Sequence, residues 1–340
     1  MKIAERLTLG DTLTEENLVF LKQLGVSHLI VNIGGYQGKP SRSDWSVRLR
    51  TEDHWEADDL LVLRQMIECA GMELGGLAST PYSRWDKIIR GLPGRDEQIE
   101  NWCKSLRAMS AAGIQVLQYN WMIKFGNTGY YLRTSSETLG RGGALVSSFD
   151  RSLFKDEPLA DVGCITDEEM WGNLAYFLQA VVPAAEEYGI KMGMHPADPQ
   201  VPTLFGVAQI IRSVDAYKRL LAIAPSASNG ITFCLGCFAQ MLDADDVYKS
   251  IEYFGSQKKI HLVHFRNVKG SAENFVETYW DEGKIDMLRA MKAFHDVGFD
   301  GCLIPDHAPH GTGDTKWSHR SRAFAIGYMK ALMQAVTAGV

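Results

Sequence analysis

What this chain lacks already narrows its function. Its six cysteines, Cys69, Cys103, Cys164, Cys234, Cys237 and Cys302, are scattered along 340 residues. They lack the dense spacing of a disulfide-stapled small domain, and reduced thiols are expected. No stretch approaches the ~20 uninterrupted apolar residues of a membrane helix. The start, Met1-Lys-Ile-Ala-Glu-Arg-Leu7, has no apolar signal-peptide core, so cytoplasmic residence is expected. No long Lys/Arg cluster is present and the formal charge is −6, which argues against a nucleic-acid partner and favours small-molecule chemistry. The first apolar run is not followed by a Gly-rich phosphate loop, the usual mark of a doubly wound nucleotide-binding sheet.

What is present is a repeated phrase: an amphipathic run, a glycine at its end, then a β-rich apolar run. It recurs at Gly25, Gly71, Gly113, Gly189, Gly230 and Gly298. Glycine tolerates the left-handed conformation that closes many helices. Eight strands are expected, near 2–7, 26–32, 73–78, 114–119, 190–195, 230–234, 260–265 and 301–305. Between them lie helical patterns near 14–24, 57–70, 96–112, 167–188, 203–222, 244–255, 284–297 and 319–336, with caps or acids at Thr14, Glu16, Asp167 and Glu169. Eight such units, in an apolar share of 46%, define one α/β domain over 1–340, a (β/α)8 TIM barrel. Two long segments, 33–56 and 120–166, follow strands and are expected as lids or substrate walls on the carboxyl face.

Four strand-like runs end on a metal-capable side chain: Lys191-Met-Gly-Met-His195, Ile231-Thr-Phe-Cys234, Ile260-His-Leu-Val-His264 and Cys302-Leu-Ile-Pro-Asp306. Strand ends converge at one mouth of a barrel, and two imidazoles, a thiolate and a carboxylate suit a divalent cation. Strand alternation puts His261 and His264 on opposite faces, and His264, at the end of its run, is the ligand candidate. Cys234 ends its strand; Cys237 completes a Cys-x-x-Cys without the partners of a zinc knuckle or the helix setting of a redox pair. Softer ions such as Zn2+, Fe2+ or Co2+ suit the thiolate.

The motifs Ile89-Arg-Gly-Leu-Pro-Gly-Arg-Asp-Glu97, Gln118-Tyr-Asn-Trp-Met122, Met194-His-Pro-Ala-Asp-Pro199, Gly230-Ile-Thr-Phe-Cys234, His264-Phe-Arg-Asn-Val268 and Pro305-Asp-His307 occur in an order that resembles mannonate dehydratase. The resemblance runs from about residue 73 to the end. It implies a xylose-isomerase-like barrel with Mn2+ held at His195, Cys234, His264 and Asp306, and dehydration of D-mannonate or a related aldonate to 2-keto-3-deoxy-D-gluconate. It also marks Asn120, Arg95, Glu277 and Asn267 for substrate. The chain departs from the family pattern where Trp85 and Trp280 replace histidines, Arg320 a tyrosine and Cys237 a serine. These departures suggest another sugar acid.

In such a reaction a base removes the C2 proton and an acid protonates the departing C3 hydroxyl. Asp306 and His307 are the candidates, with Arg266, whose planar fork matches a carboxylate, steadying the sugar acid. Sugar isomerisation or epimerisation, or non-catalytic sugar binding, stays open beside this reading. So does homo-oligomer formation.

Overall fold

Strand periodicity sorts the side chains of this chain into an inner and an outer set, and the fold follows from that sorting. The computed structural model describes residues 1–34, 49, 53–124, 132–154 and 159–339. The chain-ordered strands are β1 (Lys2–Thr8), β2 (His28–Asn32), β3 (Glu73–Ala78), β4 (Val116–Asn120), β5 (Ser135–Leu139), β6 (Leu145–Asp150) and β7 (Lys191–His195). They continue as β8 (Thr203–Leu204), β9 (Val207–Ala208), β10 (Asn229–Cys234), β11 (Ile260–His264), β12 (Val268–Ser271), β13 (Asn274–Glu277) and β14 (Cys302–Ile304). Eight of them close a parallel barrel in the order β1-β14-β11-β10-β7-β4-β3-β2.

The helices are α1 (Glu15–Gln23), α2 (Ala57–Cys69), α3 (Asp86–Ile89), α4 (Arg95–Ala111) and α5 (Asp167–Glu187). After these come α6 (Val214–Ile223), α7 (Leu235–Met241), α8 (Ala244–Ser256), α9 (Met287–Asp296) and α10 (His319–Thr337). Thr14 caps α1 and Thr166 opens α5 in a reciprocal capping box with Glu169. Five of the six phrase glycines take φ between 66° and 76° after a helix. Gly230 does not: it lies within β10, where a Cβ would come 2.3 Å from the His261 ring.

Alternate residues of each strand divide between two apolar layers. Ala4, Ile30, Ala78, Leu262, Cys302 and Ile304 form a small apolar cluster inside the barrel. Ile3, Leu7, Met192, Met194, Ile231, Phe233, Val263 and Leu303 face the other way and join the larger core. Inward positions nearer the strand ends are polar: Arg6, Gln118, Asn120, His195, Thr232, Cys234 and His264.

Three expectations change. The helix expected over 203–222 begins only at Val214, capped by Ser213, because Phe205 and Gly206, both at positive φ, turn residues 203–208 into a two-stranded ribbon. The segment 120–166 is not a plain loop: β5 and β6 join β12 and β13 in an antiparallel sheet of order β12-β13-β6-β5. Helix α7, directly after Cys234, was hidden because its residues are apolar on every side and carry no amphipathic period; Leu235–Gln240 are all buried. Most of the expected segment 33–56, and residues 125–131 and 155–158 of the other, lie outside the described residues.

Candidate metal centre

The register of the barrel brings distant residues to one level. Asn120 stands opposite His195, and Cys234 opposite His264. The ligand-capable atoms of His195, Cys234 and His264 all lie within 4.8 Å of one another. The two imidazoles are 4.8 Å apart, centroid to centroid. His195 Nδ1 donates to the Pro196 carbonyl at 2.8 Å, which leaves its Nε2 as a lone pair. His264 Nε2 donates to Gln118 Oε1 at 2.8 Å, leaving Nδ1. That buried Nδ1 makes no hydrogen bond among the described residues. Two fixed imidazole lone pairs and a buried sulfur form a donor set that fits a divalent cation.

Asp306, the fourth expected ligand, lies outside this three-residue group and faces it from the side. It has φ 57°, a left-handed conformation uncommon for a non-glycine residue, and the Trp280 indole N–H holds the preceding Pro305 carbonyl at 2.9 Å. Its Oδ2 lies 3.4 Å from His264 Nδ1, 3.6 Å from His307 Nε2 and 3.7 Å from Arg266 Nη1. Its Oδ1 accepts from Arg6 Nη2 at 2.7 Å.

The electrostatics favour a cation here. Burial alone would raise the Asp306 carboxyl, yet His307, His264 and Arg6 hold it well below the usual range. Burial would likewise raise the Cys234 thiol, but the Cys237 hydrogen bond, the Arg266 guanidinium and the two histidines bring it well below its ordinary value. Burial pushes His264 down while Asp306 and Cys234 pull it up, and the net direction is up. The anionic groups that favour a proton on this imidazole would equally favour a cation at its Nδ1.

Behind the cluster, four side chains close a ring of alternating charge. Arg133 donates to both Asp198 oxygens at 2.9 Å and to Glu277 Oε1 at 2.8 Å. Arg266 donates to Asp198 at 3.0 Å and grips Glu277 through Nε and Nη2 at 2.9 and 2.8 Å. None of the four is more than 6% exposed. Arg266 Nη1 also reaches Cys234 Sγ at 3.4 Å and Cys237 Sγ at 3.7 Å.

This ring redirects several expectations. Arg266 and Glu277 hold each other and the cluster, so neither presents an open face to a sugar acid. Asn267 bonds backbone at both ends of its amide, receiving N–H from Val268 and Ile285 and donating to the carbonyls of Ile285 and Trp280. It ties β12 to the following loop. Arg95 stacks on Tyr176 at 3.8 Å and faces Asp96, both on the helical layer. Asn120, beside His195, keeps a buried Oδ1 without a hydrogen bond among the described residues. His307, 22% exposed, faces both Asp306 and Glu277. Trp85 and Trp280 are buried and Arg320 is exposed, bonded to the Thr312 carbonyl.

Four contributors escaped sequence reasoning: Arg6, Gln118, Arg133 and Asp198. Inward alternation along β1 and β4 marks Arg6 and Gln118, and Asp198 sits within the His195-Pro-Ala-Asp198-Pro motif. Arg133 carries no signal, because its partners are 65 and 144 residues away.

A closed parallel barrel with its polar centre at the strand ends defines the class, a xylose-isomerase-like (β/α)8 barrel. A D-tagatose 3-epimerase-like protein shares that fold with TM-score 0.58 at 15% identity, covering 100% of this chain and 99% of that one. A family model described as D-mannonate dehydratase (UxuA) matches residues 45–163 and 157–340. Mannonate dehydratase of Streptococcus pneumoniae (strain 70585) is 34% identical over 310 residues, 83% of each chain. The crystal structure of mannonate dehydratase from Streptococcus suis serotype 2 superposes with TM-score 0.84 at 30% identity, covering 100% of this chain and 94% of that one. The chain belongs to the D-mannonate dehydratase family.

Proposed function

We propose that this protein is a metal-dependent hydro-lyase that converts D-mannonate, or a closely related aldonate, to 2-keto-3-deoxy-D-gluconate and water. The observation that carries the reading is the His195–Cys234–His264 cluster at the barrel mouth of a chain belonging to this family. His195, Cys234 and His264, with Asp306 alongside, would hold the ion, Mn2+ first and Fe2+, Co2+ or Zn2+ as alternatives. When bound, it supplies Lewis-acid stabilisation of negative charge on the substrate oxygens.

The chain's own residues divide the remaining work. Asp306 is held ionised, so it has no proton to deliver and serves as anion rather than acid. For His307, burial lowers the pKa, Asp306 and Glu277 raise it, and the two ring arginines lower it, with the net direction down. In its neutral form the His307 imidazole can take the C2 proton, and the imidazolium so formed can give it to the leaving C3 hydroxyl. Asn120 offers the sugar a hydrogen-bonding amide next to His195.

The six free thiols support residence in the reducing cytoplasm, and no described helix is long and apolar enough to cross a membrane. The sugar acid is the partner this reading requires; a homo-oligomer is compatible with it, and neither nucleic acid nor membrane is needed. The test is incubation of the full chain with Mn2+ and a panel of aldonates, with periodate–thiobarbiturate detection of a 2-keto-3-deoxy acid. That product forms on dehydration and not on isomerisation or epimerisation. No such product from any aldonate overturns the reading.

A further inference from the structure

Three guanidiniums surround the cluster, and their hydrogen bonding differs. Arg133 and Arg266 are 6% and 1% exposed and are matched charge for charge by Asp198 and Glu277. The ring is neutral, so it offers no net charge to an incoming anion. Arg6 is 29% exposed, and Nη2 alone of its guanidinium nitrogens has a partner among the described residues, Asp306 Oδ1 at 2.7 Å. The guanidinium reaches inward from β1, beside Ile30 of β2. Asp306 spans the gap: one oxygen meets Arg6 and the other faces His264, Arg266 and His307. Asp306 therefore sets Arg6 Nη2 one carboxylate's width from the groups that face its other oxygen.

We propose that Arg6 is the substrate-binding residue that receives the carboxylate of the sugar acid, the role the sequence had suggested for Arg266. The assignment rests on the sugar-acid reading above. A planar guanidinium held at Nη2 by Asp306, with no bond at Nε or Nη1 among the described residues, has donors left for a second carboxylate, and its attachment to Asp306 would keep the sugar's C1 next to the reacting centre. Asp306 thus orients Arg6.

The experiment uses the full chain supplied with Mn2+. D-mannonate and its neutral amide are titrated by calorimetry, and KM and kcat for D-mannonate are measured in parallel. Arg6→Gln is expected to weaken D-mannonate about 10- to 100-fold while the amide changes less than about threefold, and Arg6→Lys to recover part of the loss. Equal weakening of acid and amide would mean that Arg6 acts only by holding Asp306, and overturns the proposal; so does an unchanged KM with a reduced kcat. If the unaltered chain binds aldonates without dehydrating them, the functional reading fails but the acid-to-amide comparison still decides the role of Arg6. Absence of binding by any sugar acid overturns both.

Discussion

Arg266 and Glu277 are joined by two parallel hydrogen bonds, Nε to Oε2 at 2.9 Å and Nη2 to Oε1 at 2.8 Å, with both side chains under 5% exposed. Removing one partner of a buried pair leaves an uncompensated charge, which costs about 3–5 kcal/mol. Glu277→Gln is expected to lose about that much in urea denaturation. The double variant Arg266→Met with Glu277→Met leaves Arg133 paired with Asp198, a balanced remainder. It is expected to cost less than the sum of the single variants by about 1–3 kcal/mol. Strict additivity would show that the ring is not a unit.

Gly236 packs against the same guanidinium stem. A Cβ there would lie 2.6 Å from Arg266 Nε and 2.9 Å from its Cγ and Cδ. A flexible surface side chain would move aside, but Arg266 is fastened at both ends of its fork. Gly236→Ala is expected to destabilise by about 1–3 kcal/mol and to lower dehydration activity, both through displaced Arg266. Unchanged stability and turnover would mean that the stem can shift without breaking the ring.

Gln118 orients His264 by accepting from Nε2. Such partners of ligand histidines typically account for about 10- to 100-fold in metal affinity. Gln118→Leu is expected to weaken Mn2+ or Co2+ binding within that range without removing a ligand. Cys234→Ser is expected to abolish the thiolate-to-cobalt absorption band of the Co2+-loaded protein, whereas Gln118→Leu keeps the band at saturating metal. A cobalt band that survives Cys234→Ser would place the sulfur outside the coordination sphere.

The barrel was legible because local signals repeat eight times: each strand is a short apolar run, and glycines such as Gly25 and Gly71 close helices at φ 76°. His195, Cys234 and His264 were legible for the same reason, since ending a strand places a residue at the mouth. Residues whose role lies in pairing were not. Nothing in its own neighbours shows that Arg266 is engaged by Asp198 and Glu277, so a free guanidinium was expected where a saturated one stands. The backbone bonds of Asn267 were hidden similarly, because two of its partners lie 13 and 18 residues downstream. The 203–222 helix failed because the Phe205-Gly206 turn outweighs the surrounding periodicity.

His261, on the outward face of β11, gives a pH dependence separate from the cluster. It is 5% exposed, its Nδ1 bonds the Met192 carbonyl at 3.1 Å, and its ring occupies the space beside Gly230. Burial, with the nearby Lys191 and Lys259 charges, lowers its pKa to about 4, although the Met192 and Ala227 carbonyls act the other way. The ring is therefore neutral in the fold where the unfolded chain, with an ordinary value near 6.5, takes up a proton. Between those values the unfolded state binds more protons, so stability is complete above about pH 6.5 and falls as pH drops towards 4. The shift corresponds to a loss of about 3 kcal/mol across that window. His261→Asn keeps a donor for Met192 but cannot titrate. It is expected to lower stability at neutral pH by about 1–2 kcal/mol through lost packing, yet to show a shallower fall between pH 7 and pH 4. Denaturant midpoints measured across that range check the difference in slope. His28, also lowered by burial, leaves a residual slope in both proteins. Parallel curves would mean that His261 protonates without cost inside the fold.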